Sequence, residues 1–134
     1  MPQDRYRHTA GAVSNLHLHL VWCPKYRRPV LVGPVAIRLR ELLTQKAEAL
    51  AVVIAGLEVL PDHVHLFVSV PPVNAPQFYA NQFKGFTSRV LRQEFPHLKS
   101  SLPSLWSRSY FVGSAGTVTA ATIKRYVAAQ QERG

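Results

Sequence analysis

The feature that most restricts this chain is a pair of alternating segments, Leu16-His17-Leu18-His19-Leu20-Val21-Trp22 and His63-Val64-His65-Leu66-Phe67-Val68-Ser69-Val70. Successive side chains of a strand point to opposite faces, so each segment reads as a strand with one apolar face. Each also sets two histidines side by side on the other face. An apolar sheet face must be covered, and two helical patterns can cover it. Gly33-Pro34 opens a helix from about Val35 to Leu50, with Leu39, Leu42, Leu43 and Leu50 as its buried stripe. A second helix runs from about Pro76 to Phe95, with Phe78, Phe86, Val90 and Leu91 as core contacts. Residues 51–60 are apolar and β-branched and read as a strand, Pro61-Asp62 is a turn, and Trp106 to Val112 is a fourth short strand.

The order is β-α-β-β-α-β, which is the α+β, ferredoxin-like arrangement with a four-stranded antiparallel sheet. Its first and third strands are central neighbours. The helices then cover Leu16, Leu18 and Leu20 with Val64, Leu66 and Val68, and the histidines face the open side. A last helix follows, from about residue 119 to 131, carrying Tyr126 and Gln130. The 134 residues form one domain: a core over about 14–112, a glycine-containing flexible linker over about 113–118, and that helix.

Composition narrows the chemistry. Lys and Arg number 16 against 7 Asp and Glu, a net charge of +9 that favours a polyanionic partner. The acidic residues include no neighbouring carboxylate pair, so twin-carboxylate catalysis has no local basis. No phosphate loop or dinucleotide fingerprint is present, which argues against nucleotide-driven or redox reactions. Cys23 stands alone, and no apolar run approaches the length of a membrane span. A cytoplasmic protein with no membrane partner fits this pattern.

Chemistry must therefore come from histidine, tyrosine and amides. His63 and His65 share a strand face and can bind one metal ion, but an isolated His-x-His is equally an ordinary polar pair on a half-solvated surface. His17 and His19 have the same spacing, and pattern alone does not choose between the pairs. Tyr126 and Gln130 stand four residues apart on one helical face. A terminal helix docked on the open sheet face would bring them over the histidines. Two imidazoles and an amide suit Mg²⁺ or Mn²⁺ at least as well as Zn²⁺. Lys25, Arg27 and Arg28 surround Tyr26, a mixture of cations and aromatic that can hold a phosphate backbone and stack bases. Lys84, Arg89, Arg108, Lys124 and Arg125 extend the same footprint.

Five ordered segments carry a family resemblance. They are Val21-Trp22-Cys23-Pro24-Lys25-Tyr26-Arg27-Arg28-Pro29-Val30; Pro61-Asp62-His63-Val64-His65-Leu66; Phe83-Lys84-Gly85 to Phe95-Pro96; Leu105 to Gly113; and Thr122 to Gln130. Together they resemble the single-tyrosine HUH transposases of the smallest bacterial insertion sequences, the TnpA type. The resemblance implies a metal-dependent endonuclease and strand transferase acting on single-stranded DNA that carries hairpins near the element ends. It also implies His63 and His65 as metal ligands with Gln130 as the third, and Tyr126 as the nucleophile. A homodimer that exchanges the tyrosine helix is implied as well. Such a site would contain no obvious negative side chain to repel phosphate. The other readings are a domesticated relative that binds or nicks hairpins, a ferredoxin-like RNA-binding module, and a zinc hydrolase.

Overall fold

A computed structural model describes residues 16–114 and 124–129 of the chain. Within them, β1 (Leu16–Trp22), α1 (Gly33–Ala49), β2 (Val53–Leu60), β3 (His63–Val70), α2 (Pro76–Glu94), a short α3 (Pro96–Ser100) and β4 (Phe111–Ser114) follow in order. The sheet order is β2-β3-β1-β4 and every pairing is antiparallel. This is the expected α+β plan, with the two alternating segments at its centre.

Each helix starts on a proline in its first turn, where the missing N–H costs no intrahelical bond. On α1 the buried stripe is Val35, Leu39, Leu42, Leu43 and Ala47. On α2 it is Tyr79, Ala80, Phe83, Thr87 and Leu91, together with Lys84. Phe78, expected in the core, is exposed instead, because the inward face of α2 is phased one residue later. Phe86 and Val90 only flank the core. The two stripes meet Leu18, Leu20 and Trp22 of β1 and Val64, Leu66, Val68 and Val70 of β3 in one apolar cluster. Burying each large side chain there contributes about 1.5–3 kcal/mol. Leu16 lies at the sheet end and stays exposed.

The fourth strand begins later than its sequence suggests. Trp106 makes only an isolated bridge to Pro24, and the ladder with β1 starts at Phe111. Between them, Lys84 Nζ donates to the carbonyl oxygens of Ser107, Arg108 and Ser109 at 2.8, 3.3 and 3.0 Å. Carbonyls turned toward an ammonium group are not available to a strand ladder. Conversely, Gly113 and Ser114 pair with His19 and Leu18, so they belong to β4 and not to a linker. The remainder of the expected linker, to residue 118, and the two ends of the expected last helix lie outside the described residues. Residues 124–129 are helical.

The register arranges the second sheet face in ranks across the strands. One rank is Phe111, Val21, His65 and Glu58; the next is Gly113, His19, Phe67 and Gly56. A register shift in β2 between Ile54 and Gly56 sets the glycine opposite Phe67. A Cβ at position 56 would stand 3.2 Å from Phe67 Cδ2, so the absence of a side chain is what lets the ring lie there.

Candidate active site

The histidine pair of β3 starts at the turn that joins it to β2. Asp62, in that turn, accepts a hydrogen bond from His63 Nδ1 at 2.8 Å, and its other oxygen pairs with Arg27 Nε at 3.1 Å. A carboxylate only accepts, so His63 Nδ1 carries the proton and Nε2 is the ring's other nitrogen. The His63 and His65 rings lie with centroids 4.9 Å apart. On its Nδ1 side His65 shares a 3.0 Å hydrogen bond with His19 Nε2. His19 is 2% exposed, and its ring stacks on Phe67 at 3.9 Å and 16°.

Burial, and then the nearby His65 ring, push the His19 pKa down from 6.5 to about 4. Burial, and then His63, also lower that of His65, with Glu58 opposing. Both rings are therefore neutral at pH 7, the form that offers a lone pair to a metal ion. The donor set fits a divalent cation: in each of His63 and His65 Nδ1 is engaged and Nε2 remains for ligation. Among the described residues no group of three His, Cys, Asp or Glu could hold a metal by itself. The pair needs a further donor. Gln130, the residue expected in that role, lies outside the described residues.

The expected absence of negative charge is corrected. Asp62 touches His63, and Glu58 stands opposite His65 on β2. Asp62 is offset by Arg27, so it orients the imidazole without leaving an uncompensated charge.

Tyr126 lies in the helical segment 124–129, its ring centroid 6.3 Å from that of Phe111. Phe111 opens the rank that passes through Val21 to His65. Two strand spacings separate Phe111 from His65, about 10 Å. Val21 is fully buried and so is Val127 for the most part, so this end of the second face is covered, not open.

The basic turn lies next to the same site. Lys25–Arg27 form one turn of 3-10 helix with Tyr26 and Arg27 at φ 59° and 53°, left-handed values unusual for side-chain-bearing residues. Backbone bonds from Lys25 N–H to Leu105 O and from Arg27 N–H to Pro24 O hold it, together with the Arg27–Asp62 pair. The result displays Tyr26, 45% exposed, under the Lys25 ammonium, with Arg28 exposed beside it. Arg108, Lys124 and Arg125 are also exposed. Arg89 is exposed on α2, in the helical layer, away from the histidine face. Lys84 leaves the proposed DNA footprint altogether: it is buried, its three bonds go to backbone carbonyls, and burial pulls its pKa down to about 8.

Sequence reasoning gave Asp62 and Phe67 no part in this site, and weighed His19 only as half of the alternative histidine pair. Asp62 could have been found from its position next to His63. His19 required the β1–β3 register, which fixes the diagonal contact.

The sheet carries its histidine pair on the face opposite its helices, and the comparisons place a chain of this fold among the DNA transposases. The chain belongs to the IS200-like transposase family, whose profile matches residues 12–130. It is 37% identical over 125 residues to the ISDra2 transposase TnpA of Deinococcus radiodurans, covering 92% of this chain and 89% of that one. It is 31% identical over 120 residues to the transposase for insertion sequence element IS200 of Salmonella typhimurium, covering 88% and 78%. A crystal structure of a Deinococcus radiodurans protein assigned as a transposase superposes with TM-score 0.83 at 36% identity, over 90% of this chain and 94% of the other. The REP-associated tyrosine transposase bound to a REP hairpin shares the fold at TM-score 0.56 and 14% identity, over 85% and 63%. The protein is thus a DNA-binding, DNA-cleaving recombination enzyme by family. Family membership displaces the RNA-binding and zinc-hydrolase readings. Among the described residues no helix is long and apolar enough to cross a membrane.

Proposed function

We propose that this transposase cuts and rejoins single-stranded DNA at element ends marked by subterminal hairpins, through a 5′-phosphotyrosine on Tyr126. The observation that carries this reading is the placement of the Tyr126 ring against Phe111, on the sheet face that also bears His63 and His65. The Tyr126 oxygen attacks the scissile phosphorus, an O–P bond forms, and the P–O3′ bond breaks to release a 3′-hydroxyl. The phosphotyrosine keeps the energy of the cleaved bond, so a new 3′-hydroxyl can reverse the step at another end without nucleotide hydrolysis.

His63, His65 and Gln130 hold a divalent cation, Mg²⁺ or Mn²⁺, in this reading. When bound, it polarises the scissile phosphate and stabilises the charge that develops as the bond breaks. Asp62 fixes His63 so that Nε2 is left for ligation. Lys25, Tyr26, Arg27 and Arg28 bind the strand by phosphate contacts and base stacking, with Arg108, Lys124 and Arg125 extending the track. Arg89, on the opposite layer, would reach DNA only where the hairpin wraps around the domain. The hairpin as partner draws on the REP-associated relative, which is bound to one. The working unit is a cytoplasmic homodimer whose tyrosine helices exchange between subunits.

The test is incubation of the protein with a labelled single-stranded hairpin and Mg²⁺, followed by a denaturing gel. A covalent protein–DNA band is expected from the wild type and none from Tyr126→Phe, with hairpin affinity unchanged within about twofold because one hydroxyl is removed from a broad interface. An adduct that survives Tyr126→Phe removes the nucleophile assignment. Binding without any adduct in the wild type would instead favour the domesticated hairpin binder.

A further inference from the structure

The hydrogen bond between His19 and His65 has no part in the reaction just described, yet the strand register and two neighbouring residues bring it about. In the antiparallel register His19 faces Phe67 and Val21 faces His65, so the two histidines are diagonal neighbours on one face. Phe67 stacks on the His19 ring, and the bare Gly56 backbone leaves room for Phe67 to do so. The His19 ring is thereby held almost without exposure, its Nε2 3.0 Å from His65 Nδ1.

A neutral imidazole has one N–H and one lone pair. The lone pair of His65 stands on Nε2 only when the proton is on Nδ1, and that N–H then lies within hydrogen-bond reach of the His19 ring. The atom placed there is His19 Nε2, which accepts when His19 carries its own proton on Nδ1, a buried nitrogen with no hydrogen-bond partner among the described residues. Asp62 Oδ1 has the matching place at His63 Nδ1, at 2.8 Å. Reverse the His19–His65 bond, and His65 Nε2 is protonated and blocked.

We propose that His19 is a positioning residue of the metal site: it accepts the Nδ1–H of His65 and thereby keeps the His65 Nε2 lone pair for a divalent cation. This rests on the reading of His63 and His65 as ligands. The two ligands are then backed differently, His63 by a carboxylate and His65 by a neutral ring. A second carboxylate would bring further negative charge to a phosphate-binding site; an imidazole supplies the acceptor without it.

The test uses the full chain with Mn²⁺ as probe, free ion being counted by its EPR signal. His19→Phe keeps the stack but removes the acceptor, and its Mn²⁺ affinity should fall about 10–100-fold, the usual effect of losing a partner behind a metal ligand. His19→Gln, whose amide oxygen can accept, should recover most of the loss. In the unmutated protein without metal, two-bond ¹H–¹⁵N correlation should show His65 protonated at Nδ1; this readout also decides the matter where His19→Phe does not fold, as judged by circular dichroism. Mn²⁺ affinity unchanged in folded His19→Phe, or a wild-type His65 protonated at Nε2 in the metal-free protein, overturns the inference. His65→Ala separates the two levels. If it leaves Mn²⁺ affinity intact, the ligand reading fails and takes the inference with it; if it abolishes binding while His19→Phe does not, only the role of His19 fails.

Discussion

The chain contains the same short pattern twice, His-Leu-His on β1 and His-Val-His on β3, and the fold treats the copies differently. On β3 both rings are engaged: His63 with Asp62, His65 with His19. On β1 His19 is engaged and buried, while His17 is exposed toward the strand start. The spacing is identical, so spacing is not what makes a site. What differs is the neighbourhood: β3 leaves a turn that supplies a carboxylate, and its central rank lies beside Phe111 and the tyrosine helix. β1 contributes one histidine as support to the pair on β3.

The sharpest way to break this comparison is to remove each pair in turn. His63→Ala or His65→Ala should reduce hairpin cleavage by at least about 100-fold, since each removes a ligand proposed for the cation. His17→Ala should leave the cleavage rate within about twofold, as expected for an exposed side chain away from such features. A loss at His17 equal to that at His65 would mean that the two strands are not distinguished.

Acid stability tests whether His19 is buried and neutral as its surroundings require. Its unfolded value is 6.5 and its folded value about 4, so between these the unfolded chain holds more protons. Stability from this group is complete above pH 6.5 and falls as pH drops toward 4, with His65 acting in the same direction. The loss should be about 3 kcal/mol from His19, read from urea unfolding in EDTA at a series of pH values. His19→Gln should reduce that slope to the part due to His65, and an unreduced slope would place the titrating group elsewhere.

A smaller effect is expected at the far end of the aromatic rank. Gly56→Ala puts a methyl group 3.2 Å from Phe67 Cδ2, and the ring must shift. A cost of about 1–2 kcal/mol in unfolding free energy is expected. Because the shift is passed to His19, the His65 ¹⁵N signals should move as well; stability lost with those signals unmoved would separate Phe67 from the site. The smallest effect belongs to the basic turn. Replacing Lys25 and Arg28 by Gln should lower the slope of log affinity against log salt by about 1.4, two contacts at about 0.7 each for single strands. An unchanged slope would put the phosphate track on another surface.

Much of the architecture was legible before any coordinates. Alternation located β1 and β3 and sorted their side chains correctly, because the strand period is a property of the local backbone. Helix starts were legible from prolines, and the stripe of α1 from its leucines. The phase of α2 was less so, since Phe78 and Tyr79 are both apolar enough for a core and only packing against the sheet selected the second. The start of β4 was misplaced because Trp106 to Tyr110 has strand composition, while Lys84 occupies the carbonyls that a ladder would need. Lys84 itself reads as a surface cation; only burial turns it into a backbone clamp.

By itself the sequence determined the order of elements, the two faces of the sheet and the histidine pairs that stand on one of them. These follow from period and from turn residues, which act over a few positions. The tertiary structure alone decided which imidazole meets which partner. His19 and His65 are 46 residues apart in the chain, and their contact exists because antiparallel pairing, a register shift at Gly56 and the stack on Phe67 converge on one diagonal. Hydrogen bonds reach only about 3 Å, so a partner must be delivered to within a fraction of an ångström, and only the packed sheet does that.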